Sequence, residues 1–403
     1  MMALKKFPIY EAGKIEFLEQ SGVQDKAWLE HPELGNVLFK ASSIEEAPEI
    51  QTDWTEKVAY ELAKLLDLPA TRYELAQATV DEDYDPIRGS FSISFKLENS
   101  EPRSGEEFLG DFYADYADRY PSTYAVDRVL NALEQTRVTV PSGFNLPTDI
   151  DNGAKVFVGY IMLDNLIGNC DRHDQNFEIQ VLPDGTQELA PTFDQGQAMG
   201  ATISDKQRQT FTTQDYHEYL EGSFYEGNDN ILTPRAFEIA ANLYPEAARV
   251  WQDRLARIDP LQINEIFDRL PPDRISPTAM KFAKQIIKDG REQILGLDLE
   301  PVPTGILYRP SFNEFSRAIY DLATIPNPTA ADRIALAQAT LKAETLRQLN
   351  GNDPNTLGSF RHESVAIAPG RFSITPPTVT IEPSNRQQIV QDISIDVDDD
   401  RSL

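Results

Sequence analysis

A long, mostly apolar run from Val156 to Ile167 empties directly into the polar stretch Gly168-Asn169-Cys170-Asp171-Arg172-His173-Asp174-Gln175-Asn176. No other feature constrains the fold of this chain as tightly. A helix over Ala154–Ile167 would be apolar nearly all round, so it must be buried. A chain leaving it near Gly168 has to turn at once, which makes residues 171–176 a tight loop over a core. The short segment Phe177–Leu189 follows, with Pro183-Asp184-Gly185 as a turn between two short strands. Phe193-Asp194-Gln195-Gly196 then returns toward the same place, Asp194 lying eighteen positions after Asn176.

This arrangement puts an Asp, an Asn five positions on, and a second Asp into one cleft. Asp171 is placed to orient a hydroxyl and take its proton. Asn176 and Asp194 supply hard oxygens of the kind magnesium prefers when phosphate oxygens complete its shell. Any one of these residues alone would be a solvated loop side chain. A different chemistry also fits the composition: Asp171, His173, Asp174 and Asp194 as a metal-dependent hydrolase site.

The first hundred residues supply the other half of a nucleotide cleft. Strands are expected over Lys14–Leu18, Ala27–Leu29 and Asn36–Lys40, with the polar turn Ser21-Gly22-Val23-Gln24-Asp25-Lys26 between the first two. Lys40 ends a strand and is the candidate phosphate contact. Residues 41–52 are polar and read as mobile. Trp54, Val58, Leu62, Leu65 and Leu66 recur at helical spacing over Trp54–Leu66, with Asp53 and Glu56 spaced as a capping box. Glu56 is the candidate partner for Lys40, with Glu61 in reserve. Further strands are expected over Arg72–Thr79 and Phe91–Leu97, leading to a hinge around Phe95–Glu98. Helical patterns follow over Gly105–Glu134 and again from Phe211 to Leu297.

These motifs carry a resemblance. D-R-H-x-x-N followed by F-D-x-G, here at Asp171–Asn176 and Phe193–Gly196, resembles the HipA-like serine/threonine kinases and, more distantly, the phosphatidylinositol kinases. Phe39-Lys40, Trp54-Thr55-Glu56-Lys57 and Glu61–Leu66 resemble the small lobe of the same family, and Ser21–Lys26 is similar to its S-G-x-Q-x-K phosphate loop. The resemblance covers about residues 15–300. It implies an α+β, two-lobed protein-kinase-like fold: a β-rich small lobe over 1–98 and a helical large lobe over 99–300. It implies ATP and Mg2+ as cofactors, with phosphoryl transfer to Ser or Thr of a protein substrate. By matching position, Asp171 is the base, and Asn176 and Asp194 are the metal ligands. Ser21, Gly22, Lys26, Lys40 and Glu56 are the nucleotide-binding set. His173 supports the loop, and Arg172 contacts either phosphate or the loop backbone. The chain resembles the short, stand-alone members. Glu19 stands where the family often carries a serine used for inhibitory autophosphorylation.

Charge narrows the partners. A net charge of −28 argues against direct nucleic-acid binding and against anionic membranes, because both require cationic surface. A protein substrate, and a possible regulatory partner, are the expected contacts. The single cysteine, Cys170, excludes an internal disulfide and reads as a small buried residue. No signal peptide is evident, so the expected setting is cytoplasmic. Residues 301–349 read as a helical extension and 350–403 as a disordered acidic tail. A lipid kinase and a nucleotide-binding pseudokinase or scaffold are the remaining alternatives.

Overall fold

The computed structural model describes residues 4–299 apart from 16–18, 22–23, 45–46 and 80–84. The expected extension and tail beyond residue 300 lie outside the described residues. The amino-terminal part is built on a six-stranded mixed sheet. Its strands are β1 (Ile9–Lys14), β2 (Glu19–Ser21), β3 (Gln24–His31), β4 (Gly35–Ala41), β7 (Tyr73–Thr79) and β8 (Ile87–Ile93), in the order β1-β7-β8-β4-β3-β2. Between β4 and β7 come the short paired strands β5 (Ser43–Ile44) and β6 (Ala47–Gln51) and the helix α1 (Asp53–Leu65). Of residues 41–52, expected to be mobile, Ser43–Ile44 and Ala47–Gln51 form this strand pair, and 45–46 lie outside the described residues. The Ser42 hydroxyl also fixes the start of α1 by accepting from the amides of Thr52 and Asp53. Residues 16–18 of the strand expected over Lys14–Leu18 lie outside the described residues; the strand before them is β1, which ends at Lys14 and runs parallel to β7 on the sheet edge.

Alternation along β4 explains how the sheet serves the site. Val37 and Phe39 point to one face, where they pack with Phe91, Ala76 and Ala78. Leu38 and Lys40 point to the other, and Lys40 lies opposite Lys26 of β3. Helix α1 sinks Trp54, Val58 and Leu62, and its C-cap residue Leu66, into the main core beside Leu75 of β7.

Beyond the sheet come β9 (Glu101–Ser104), α2 (Gly105–Phe112), α3 (Tyr116–Arg119), α4 (Val126–Gln135) and α5 (Gly153–Ile167). Every residue of α5 except Lys155 is buried, as its all-round apolarity requires. The helix stops at Gly168, whose φ of 64° is the left-handed conformation glycine adopts without strain. Strands β10 (Glu178–Val181) and β11 (Gln187–Leu189) form the expected hairpin, and β9 adds a third strand. Helices α6 (Asp205–Thr210) and α7 (Thr213–Tyr219), the hairpin β12 (Phe224–Glu226) and β13 (Asp229–Ile231), and helices α8 (Thr233–Leu243), α9 (Pro245–Arg257), α10 (Pro260–Asp268) and α11 (Pro277–Gly296) complete the helical lobe. No helix among the described residues is long and apolar enough to cross a membrane.

The turn between α10 and α11 reaches back to the sheet-bearing lobe. Arg274, 1% exposed, places Nη1 2.7 Å from Asp53 Oδ2 and 3.0 Å from the Ala76 carbonyl. Arg88 of β8 donates to Asp53 and to the carbonyls of Asp273 and Arg274. The capping box expected of Asp53 and Glu56 does not form. The cap residue is Thr52, whose side chain makes no capping bond and instead donates to the Ser42 carbonyl; Asp53 is held by these arginines and Glu56 is drawn to Lys40.

Gly105 shows how closely α2 approaches the loop that follows α5. A Cβ there would lie 2.1 Å from the Phe177 ring and 2.4 Å from the Asp174 carbonyl. Gly105→Ala is expected to lower stability by about 1–3 kcal/mol through overpacking. Urea denaturation checks this, and an unchanged midpoint would show that the loop gives way freely.

Candidate active site

Lys40 is the centre of the site. Its ammonium is almost wholly buried and lies 2.7 Å from Glu56 Oε1 and 2.5 Å from Asp194 Oδ1. Burial alone would favour the neutral amine, but the two carboxylates override it and hold the pKa well above the usual lysine range. Asp194 is also desolvated, yet the Lys40 charge keeps its carboxyl below the ordinary value, with Lys26 adding to the pull. Burial dominates at Glu56 and raises its pKa in spite of Lys40. Glu61 is not an alternative partner, because it pairs with Lys57 at 2.8 Å and Lys64 at 3.1 Å.

The Asp194 turn is bound to α1 as well as to Lys40. Gln195 N donates to Glu56 Oε2 at 2.9 Å, and Thr55 Oγ1 donates to the Gly196 carbonyl at 2.8 Å. Asp194 has φ of 62°, uncommon for a residue with a Cβ. Its amide donates to Tyr73 Oη at 3.1 Å, which helps hold that conformation. Phe193 stacks on Phe95, in the expected hinge, with ring centroids 5.4 Å apart.

The loop Asp171–Asn176 is fastened to the end of α5. Arg172, 2% exposed, makes a two-point ion pair with Asp164, at 2.7 Å from Nε and 2.8 Å from Nη2. Its Nη1 donates to the Asn176 carbonyl. Of the two roles open to Arg172, the structure therefore assigns support of the loop backbone. Asn176 Nδ2 donates to the Asp171 carbonyl at 2.5 Å and lies 3.3 Å from Asp171 Oδ2. Gln197 Nε2 donates to the same Oδ2 at 2.6 Å. His173 Nε2 stands 3.9 Å from Asp171 Oδ1, while its Nδ1 accepts from Gln175 N, a loop-supporting bond. Burial, with the Asp194 charge behind it, pushes the Asp171 carboxyl up to about 6 against the opposing pull of His173. A carboxylate of that basicity suits proton acceptance near neutral pH. Burial pushes the Cys170 thiol up to about 12, so it is not a thiolate nucleophile.

The donor set fits a magnesium–nucleotide complex. The Asn176 amide nitrogen is committed to Asp171, which leaves its oxygen to offer, and one Asp194 oxygen remains beside the one bound to Lys40. Among the described residues, no group of three or more His, Cys, Asp or Glu could hold a metal ion. An ion here would need phosphate oxygens to complete its shell. The four-residue hydrolase site is not assembled, because Asp174 accepts from Tyr116 Oη at 2.7 Å in its own buried niche.

Of the sequence-derived residues, Lys40, Glu56 and Asp194 meet directly, and Asp171 and Asn176 meet beside them. Lys26 is half-buried opposite Lys40, its charge acting on Asp194. Ser21 ends β2, and Gly22 lies outside the described residues. Gln197, Tyr73 and Asp164 were not singled out from the sequence. Only Gln197 had a visible signal, its closeness in the chain to Asp194.

Neither a protein-family model nor a curated protein sequence matches the chain. Solved structures do. The Helicobacter pylori proinflammatory kinase CtkA aligns with a TM-score of 0.53 at 16% identity, over 72% of this chain and 96% of that one. The chain has a protein-kinase-like fold. HipA of Shewanella oneidensis MR-1, from a complex with HipB and operator DNA, aligns with a TM-score of 0.45 at 14% identity, over 70% of this chain and 68% of that one. The Golgi casein kinase with Mn/ADP bound gives 0.38 at 14% identity, over 72% and 73%. The kinase-like fold accounts for both halves of the site: the sheet and α1 carry Lys40 and Glu56, and the helical lobe carries Asp171, Asn176 and Asp194.

Proposed function

We propose that this protein transfers the γ-phosphoryl group of ATP, with Mg2+, to a serine or threonine of a protein substrate. The observation that carries this reading is the Lys40 ammonium shared between Glu56 and Asp194, with Asp171 and Asn176 alongside. A lysine buried at this cost needs a purpose, and contact with nucleotide phosphates supplies one. Lys40 and Lys26 bind phosphate oxygens, and Glu56 keeps Lys40 extended into the cleft. Asn176 and Asp194 would hold Mg2+, which neutralises phosphate charge when bound. Asp171 orients the acceptor hydroxyl and takes its proton. The protein, rather than lipid, acceptor rests on the HipA-like motifs and on the acidic chain, which a negatively charged membrane would repel.

Titration calorimetry tests the nucleotide half of the proposal. ATP should bind wild type more tightly with Mg2+ than without it, and Asp194→Ala should abolish that difference. Equal affinity with and without the metal would remove Asn176 and Asp194 from the role given to them.

A further inference from the structure

We infer that Gln197 is a positioning residue that holds the Asp171 carboxylate in its working orientation. The inference rests on the phosphoryl-transfer reading and adds to it a residue that the motifs do not contain. Gln197 is exposed, but the backbone that carries it is fixed from both sides. Upstream, Gln195 N and the Gly196 carbonyl are bonded to Glu56 and Thr55 of α1. Downstream, Met199 N donates to the Ile167 carbonyl at 2.8 Å, where α5 ends and the catalytic loop begins. Ala198 and Met199 are completely buried. The Gln197 amide is thus delivered to Asp171 by a short segment anchored to both lobes.

The consequence is a division of labour between the two Asp171 oxygens. Oδ2 receives the Gln197 amide at 2.6 Å and lies 3.3 Å from the Asn176 amide, so it is fixed by two uncharged donors. Among the described residues, Oδ1 has only His173, at 3.9 Å, and is the oxygen left for an acceptor hydroxyl. The same contacts link α1 to the base. Glu56 holds both Lys40 and Gln195, two residues before Gln197, so docking of α1 and orientation of Asp171 depend on one continuous set of bonds.

The test is a double-mutant cycle on Gln197→Met and Asp171→Asn, read by single-turnover transfer, ATP affinity from calorimetry and melting temperature. Methionine keeps the length and removes the donor. Gln197→Met should lower the transfer rate roughly 10- to 100-fold, the effect of losing a hydrogen bond to a charged group. ATP affinity, the KM for ATP and melting temperature should stay at wild-type values. In the Asp171→Asn background, Gln197→Met should cost little more, because its effect passes through Asp171. A wild-type rate for Gln197→Met, or full additivity with Asp171→Asn, overturns the inference while leaving the kinase reading standing. A wild-type chain that binds ATP but transfers nothing to protein overturns the kinase reading and this inference with it.

Discussion

Asp171→Asn is expected to lower phosphoryl transfer by ~10²–10⁴-fold while leaving ATP affinity nearly unchanged. The substitution keeps the shape of the side chain, and the loop does not depend on its charge. Arg172 is paired with Asp164, and the bond from Asn176 Nδ2 reaches the Asp171 backbone carbonyl. Lys40, Asn176 and Asp194 retain their places, so nucleotide binding has no reason to fail. The loss falls on the transition state, where a carboxylate is needed to accept the hydroxyl proton. Rate and affinity measured on the same preparation separate the two. A parallel collapse of ATP binding would mean that Asp171 serves the metal rather than the acceptor.

Arg274→Met is expected to be among the most destabilising single changes in the described residues, by about 3 kcal/mol or more. Asp53 is completely enclosed, and Arg274 meets it from the opposite lobe at 2.7 Å. Removing one partner of a buried ion pair typically costs about 3–5 kcal/mol, because the other charge stays buried. Arg88 still reaches Asp53 at 2.9 Å, which places the loss toward the lower end. Arg88→Gln should cost less, since its side chain is partly solvated, 28% exposed. Equilibrium denaturation of both variants checks the order. Equal, small losses would show that the contact between the α10–α11 turn and Asp53 contributes little to holding the lobes.

How much of this was legible in the sequence depends on the range of each interaction. The loop from Asp171 to Asn176 and the return of Asp194 could be read because an apolar helix must end where its burial ends, and a Pro-Asp-Gly turn brings the chain back. Helix α1 was readable from its apolar period, and the pairing of Glu56 with Lys40 followed from the motif. The capping role given to Asp53 was wrong for a physical reason. A residue that looks like a local cap was claimed by Arg274, 221 positions away, and by Arg88. No periodicity encodes such a partner. Residues 41–52 read as mobile from their polarity, whereas the bonds of Ser42 to α1 and β8 depend on partners that no local pattern encodes. Arg172 could not be assigned between phosphate and backbone until its burial against Asp164 was seen. Gln197 escaped because nothing in its own chemistry distinguishes a loop glutamine that meets Asp171 from one that meets water.

The most direct test of the central claim is the fate of the γ-phosphate. Purified protein is incubated with γ-labelled ATP and Mg2+ in the presence of a cell lysate, and the labelled products are separated and hydrolysed to their amino acids. The account predicts label on serine or threonine of protein, dependent on Mg2+, lost in Asp194→Ala and strongly reduced in Asp171→Asn. Release of free phosphate with no labelled protein, or label of equal strength from the Asp171→Asn variant, would contradict it.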